Sequence, residues 1–357
     1  MTPAEIFAKC HDWESIDPAC PALLPPDGQI PLDPNAYTIY PIALGLGVTF
    51  SVLVGISIIL RVFTRSYIMR VFRLEDVMIG LAAIGFFISV GLTLTGFSHG
   101  FGKHQWNVTV GDLFQSLHLI YIIQIIYSVT IFLAKLGILL QIQHIFTGQK
   151  KSSMYWASWV LMALVTAAYI SITFILAFPC TPIRRAWHPL LPGTCNDKAR
   201  PGIFSGVVNL VTDIAILALP IVSVFQLQLS LKKKLAVSAV FAIGLLACVI
   251  SALRLYYSVI RTRSEDFTYW LAVVGTCGLI ELAIVVICGC FPTFPRFYTF
   301  IAKDSKMDSK YGSYGAGYAR SNTRLGNQGN TGVSTVPRTM PGGNRQKREN
   351  ISNVPPV

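Results

Sequence analysis

Charge is what this sequence has least of. Only 13% of its 357 residues are Asp, Glu, Lys or Arg, about half the share of a soluble domain. Its mean hydropathy of +0.55 points instead to lipid as the main solvent. Other absences narrow the class. No segments of alternating polarity about ten residues long occur, which excludes a transmembrane barrel. No Gly-Lys-Ser/Thr phosphate loop occurs, which argues against ATP-driven transport by this chain alone. The last apolar stretch has no lysine to form a Schiff base with retinal. His99 and His104 are too few for a metal site. Residues 1–36 hold no apolar core of signal-peptide length. They carry Glu5, Asp12, Glu14, Asp17, Asp27 and Asp33 against a single base, Lys9. Such a tail is translocated when stronger positive charge follows the first span.

What is present is hydrocarbon in long runs. A helix needs about 20 residues to cross a ~30 Å hydrocarbon layer at 1.5 Å per residue. Seven stretches qualify: 37–60, 76–97, 117–142, 156–178, 203–225, 235–258 and 269–291. Helices are required, because open strands leave backbone groups unpaired in lipid. The expected fold is all-α, a seven-transmembrane helix bundle with the N-terminus outside. Residues 1–36 form an extracellular tail, 37–300 the seven-span domain, and 301–357 a disordered, basic cytosolic tail.

Loop charge sets the orientation. With the N-terminus outside, the cytosolic side receives Arg61, Arg65, Arg70, Arg73, Lys150, Lys151, Lys232, Lys233, Lys234 and the basic tail, as the positive-inside rule asks. The loop holding Arg184, Arg185, Lys198 and Arg200 dissents, and is read as a folded, partner-facing loop. The net charge of +12 sits between apolar runs, so the partner it implies is anionic membrane lipid and not nucleic acid.

Cys10, Cys20, Cys180 and Cys195 fall outside, whereas Cys248, Cys277, Cys288 and Cys290 lie in spans. An even extracellular number fits disulfides. Sequence does not choose among the three possible pairings; Cys180–Cys195 with Cys10–Cys20 closes the more compact loops. Asn107-Val108-Thr109 is a glycosylation acceptor sequence on the outer side, and Asn350-Ile351-Ser352 falls in the tail. The glycine-rich loop 100–106 reads as a turn anchored at the interface by Trp106, or as a cap over a pocket.

Ionisable groups within spans each need a partner or water. Asp76 and Lys135 are expected at similar depth near the cytosolic side, where they either pair or Lys135 snorkels to the interface. Asp213, Arg254 and Glu281 lie deeper, with Asn209 one turn from Asp213 on the same face. This group suits a site for a small ligand or an ion, polar glue between helices, or acid catalysis. No catalytic constellation stands out, and no cofactor is implied.

Several segments in order resemble the fungal rhodopsin-domain family of seven-span membrane proteins. They are Leu74-Glu75-Asp76, Gly100 through His104, Tyr127 through Leu136, Cys180-Thr181-Pro182, Ala186-Trp187-His188, Gly193 and Cys195, Asn209 with Asp213, Leu219-Pro220, Arg254-Leu255 and Glu281. The resemblance covers roughly residues 40–300. It implies a seven-helix bundle at the plasma membrane that senses a small extracellular ligand and passes the change to a cytosolic signalling partner. A different role it implies is that of a membrane component of a secondary-metabolite pathway, as transporter or intramembrane cyclase. Departures from ordinary G-protein-coupled receptors are plain. Span three ends Lys135-Leu136-Gly137 where those receptors carry an acidic-Arg-aromatic triplet, and span seven ends Cys290-Phe291-Pro292 without an Asn-Pro pair.

Overall fold

The computed structural model describes residues 18–26, 29–33, 35–146, 153–196, 199–226 and 231–301. Cys10, Lys150, Lys151, Asn350 and the tail beyond residue 301 lie outside the described residues. Seven helices among those described are long and apolar enough to cross a membrane. They are α1 (Tyr40–Phe63), α2 (Leu74–Ser98), α3 (Val110–Phe146), α4 (Ser153–Ala177), α5 (Ala199–Gln226), α6 (Leu231–Arg263) and α7 (Phe267–Cys290). The chain is therefore a multi-pass integral membrane protein. The end of the bundle bearing loops 99–109 and 178–198 is called outer here, following the loop charges.

Local chemistry explains where helices begin. Pro41 stands in the first turn of α1, where a missing N–H costs nothing. Asp76 Oδ2 accepts the Arg73 N–H at 3.1 Å, reaching back to the start of α2 as a capping acid does. Thr109 Oγ1 accepts the Asp112 N–H at 3.1 Å, an N-cap for α3.

Large apolar side chains such as Ile59, Leu164 and Phe174 stand more than 60% exposed on the outside of the bundle. In water such a surface associates; in a bilayer it is solvated. Inside, Leu282 through Val286 are buried on every side, because α7 packs against α1, α2, α3 and α6. Small residues permit the closest approaches: a Cβ on Gly85 of α2 would overlap the Thr130 side chain of α3.

The two longer outer loops carry local structure over residues 99–109 and 178–196. β1 (Cys180–Thr181) and β2 (Thr194–Cys195) pair antiparallel, and the Cys180–Cys195 disulfide joins them. Arg185 Nη1 donates to Leu191 O at 2.7 Å and Gly193 O at 2.5 Å. A base that seemed to oppose the topology thus holds its own loop together. In the other loop Gly100 and Gly102 adopt φ of 93° and 77°, which only glycine takes readily. That lets the chain fold back so that Phe101 and Trp106 are buried.

Candidate functional site

Five helices meet at a buried network of charged and polar groups. Asn209 and Asp213 sit one turn apart on α5 and face α3, α6 and α7. Lys135 Nζ of α3 lies 2.9 Å from Asp213 Oδ1. It also donates to Asn209 O and Oδ1, each at 2.9 Å, and to Thr212 Oγ1 at 2.7 Å. Tyr169 of α4 donates to the same Asn209 Oδ1 at 2.6 Å. On the far side, Arg254 Nε of α6 pairs with Glu281 Oε2 of α7 at 2.8 Å, and Tyr127 donates to that oxygen at 2.7 Å. Ser251 bridges the halves, with its hydroxyl 2.7 Å from Asp213 Oδ2 and in contact with Glu281 Oε1. Asn209 Nδ2 donates to Ser251 Oγ at 2.8 Å and to Glu281 Oε1.

Every charged member is under 9% exposed. Two cations balance two carboxylates, which is the condition for holding ions in a low-dielectric interior. The Arg254 guanidinium also lies 4.9 Å from the Tyr127 ring centre, adding a cation–π contact.

The sequence grouping of Asn209, Asp213, Arg254 and Glu281 thus comes together in space. The expected Asp76–Lys135 pair does not form. Asp76 instead binds Arg61 Nη2 at 2.6 Å and Arg65 Nε at 3.1 Å, while Arg65 Nη2 reaches Glu75 at 3.2 Å. Arg61 Nη1 further donates to Gly289 O at 2.5 Å and lies 3.4 Å from Gln141 Oε1. The reason is depth. Gln141 is the α3 residue level with Asp76, and Lys135 precedes it by six positions, about 9 Å deeper into the bundle. Because α3 continues to Phe146, Lys135 lies further from the cytosolic end than the apolar pattern indicates. Arg61 and Arg65, counted as loop bases, are buried at 2% and 6% exposure.

Above the network a cavity of about 240 Å³ opens toward the outer side. Ser89, Leu117, Ile175, Ser205, Arg254 and Leu271, one from each helix α2 to α7, contribute to its wall. Phe101 and Cys180 of the two outer loops also line it. Tyr127 and Arg254 belong to both the cavity and the charge network. Loop 99–109 is fastened over this end. His104 stacks between Trp106 and Tyr269 at centroid distances of 4.5 and 4.8 Å, and its Nδ1 is 2.5 Å from Asp266 Oδ2. Trp106 therefore packs inward, not at a lipid interface.

Sequence reasoning did not place Lys135, Tyr127, Tyr169, Ser251 or Arg261 at this site. A usable signal existed on α6, where Ser251, Arg254, Ser258 and Arg261 recur at helical spacing and mark one polar face. The Cys180–Cys195 disulfide is formed as expected. Cys20 is buried and disulfide-bonded, and Cys10 lies outside the described residues. Asn107 Oδ1 accepts the Asp33 N–H at 3.1 Å. Among the described residues no three His, Cys, Asp or Glu gather to hold a metal.

Seven apolar helices, a buried interhelical charge network and an outward cavity define a rhodopsin-like membrane protein. Residues 60–299 match the model of the fungal rhodopsin domain, and the chain belongs to that family. It is 33% identical over 61% of its length to an SAT4 family membrane protein of Emericella nidulans, spanning 56% of that protein. It is 30% identical to fugralins biosynthesis cluster protein 2 of Gibberella zeae, with 79% of this chain and 71% of the relative covered. Receptor GIN3 of Arthrobotrys oligospora is 27% identical over 81% of this chain and 70% of its own.

Proposed function

We propose that this protein is a receptor-like sensor at the plasma membrane. It admits a small molecule from the outer side into the cavity above Arg254. The observation that carries this reading is that Tyr127 and Arg254 are at once cavity wall and members of the network tying α3, α4, α5, α6 and α7. A ligand touching them acts on groups whose pairing holds those helices in register. Occupancy then shifts the population between two helix arrangements, and the inner end passes the shift to a cytosolic partner. The relative named as a receptor supports the reading.

A second reading has its own support in the relative named for a biosynthesis cluster. There the same cavity would carry or convert a pathway product, with Asp213 or Glu281 as the acid.

The test is a thermal-stability screen of purified protein against small molecules. Gly275 lines the cavity, and a Cβ there meets nothing within 4 Å, so Gly275→Phe places a ring in the cavity while leaving every charged residue in the sequence. Ligands that stabilise the protein are expected to lose their effect in this variant and to bind more weakly to Asp213→Asn and Glu281→Gln. Equal stabilisation of Gly275→Phe places binding elsewhere and ends the cavity reading. Product formed by the purified protein from a pathway intermediate favours the second.

A further inference from the structure

We infer that the ligand of this cavity is a small amphiphilic acid, with its carboxylate held by Arg261 and its apolar body directed inward. The inference rests on the cavity reading above and names the chemistry of its occupant.

The cavity wall carries two guanidinium groups and no carboxylate among the described residues. Arg254 is 8% exposed. Its Nε faces Glu281, but its Nη2 is buried without a hydrogen-bond partner. Arg261, seven residues further along α6, lies about 10 Å nearer the outer end. Its Nε is likewise buried and unpartnered. It has no ion-pair partner among the described residues; its charge rests 5.3 Å from the Phe267 ring centre. The inner network is neutral in itself, and Arg261, half-buried near the outer end of α6, has no counter-charge among the described residues. Unpaired buried donors and charge are costly, and an anion supplied from outside removes both costs at once.

The rest of the wall fixes the remainder of the ligand. Leu117, Ile120, Tyr121, Ile175, Leu271 and Leu279 present aliphatic and aromatic surface. The volume of about 240 Å³ lies just under the usual range for small-molecule sites, roughly 300–1,000 Å³. Gly202 leaves room for Arg261: a Cβ there would come within 3.3 Å of Arg261 Nη2. An inorganic anion satisfies the charge but leaves the apolar wall unfilled, whereas a neutral lipid tail does the reverse.

The test compares molecules of one shape and three charges on the full chain in uncharged detergent. Phenylacetate, phenylacetamide and phenethylamine form one set; octanoate, octanamide and octylamine form the other. Binding is read by thermal shift and calorimetry. At least one acid is expected to bind at millimolar concentration, about tenfold or more tighter than its amide and amine, as charge-assisted hydrogen bonds require. Arg261→Gln should abolish that preference, Arg261→Lys should retain part of it, and Gly275→Phe should block the acid altogether. If neither acid binds, or Arg261→Gln leaves acid binding unchanged, the inference is wrong. Amide binding that equals acid binding and is lost in Gly275→Phe overturns the anion while the cavity reading survives. Acid binding that depends on Arg261 but ignores Gly275→Phe overturns both. An equal shift with sodium phosphate alone assigns Arg261 to a free inorganic anion and removes the apolar body.

Discussion

Replacing Lys135 by Met isolates what the buried network contributes to stability. The thioether has similar length and no charge. The change strips Asp213 of its only ion-pair partner among the described residues, at 2.9 Å, and removes the donor that Asn209 O, Asn209 Oδ1 and Thr212 Oγ1 share. Lys135 is 1% exposed and Asp213 8%, so water does not replace the lost partner. A buried ion left without its mate costs about 3–5 kcal/mol. The loss should be smaller when both charges go. Lys135→Met with Asp213→Asn is expected to cost less than the sum of the singles, with a coupling of about 0.5–3 kcal/mol. Lys135→Met with Asp76→Asn should instead be additive within about 0.5 kcal/mol, because Asp76 belongs to the separate Arg61–Arg65 cluster. Denaturant or thermal unfolding of the five variants and the parent, in one mild detergent, gives both cycles. Additivity in the Asp213 cycle, or strong coupling in the Asp76 cycle, would refute this account.

Asp76→Asn by itself leaves Arg61 without its carboxylate and Arg65 with Glu75 alone, and should destabilise the inner end by about 3–5 kcal/mol in the same unfolding assay. Reduction or Ser substitution of the Cys180–Cys195 bridge, which spans 15 residues of sequence, should cost about 3 kcal/mol on the loop-entropy account. Limited proteolysis between residues 181 and 194 reports it, and an unchanged cleavage pattern argues against it. Gly85→Val drives a side chain into Thr130 and should cost about 1–3 kcal/mol as overpacking of the α2–α3 contact. Asn107 keeps its Nδ2 out of the hydrogen bond to Asp33, which uses Oδ1. Glycosidase treatment should shift the parent on a gel and leave Asn107→Gln unmoved; no shift in either removes that support for an outer loop 99–109.

Composition and the length of apolar runs were enough to determine that this chain lives in lipid as seven helices. Backbone hydrogen bonding in hydrocarbon leaves no other choice, and the helices lie within a few residues of the stretches seen in sequence, α3 excepted. The same solvent rule marked Asp213, Arg254 and Glu281, because an ionisable residue in a span must be accounted for. Asn209 was added from its helical spacing alone. What sequence could not determine was which charge meets which. Pairing depends on depth and helix rotation to within a few ångströms, and apolar periodicity reports neither in a helix surrounded by lipid on one face and packed on another. Hence Lys135 was assigned to Asp76 but meets Asp213, and two arginines placed in a cytosolic loop proved to be buried at the inner end of the bundle. The cavity, with Arg261 at its outer end, exists only once six helices and the outer loops enclose a common space. That is a property of their arrangement, and no single segment carries it.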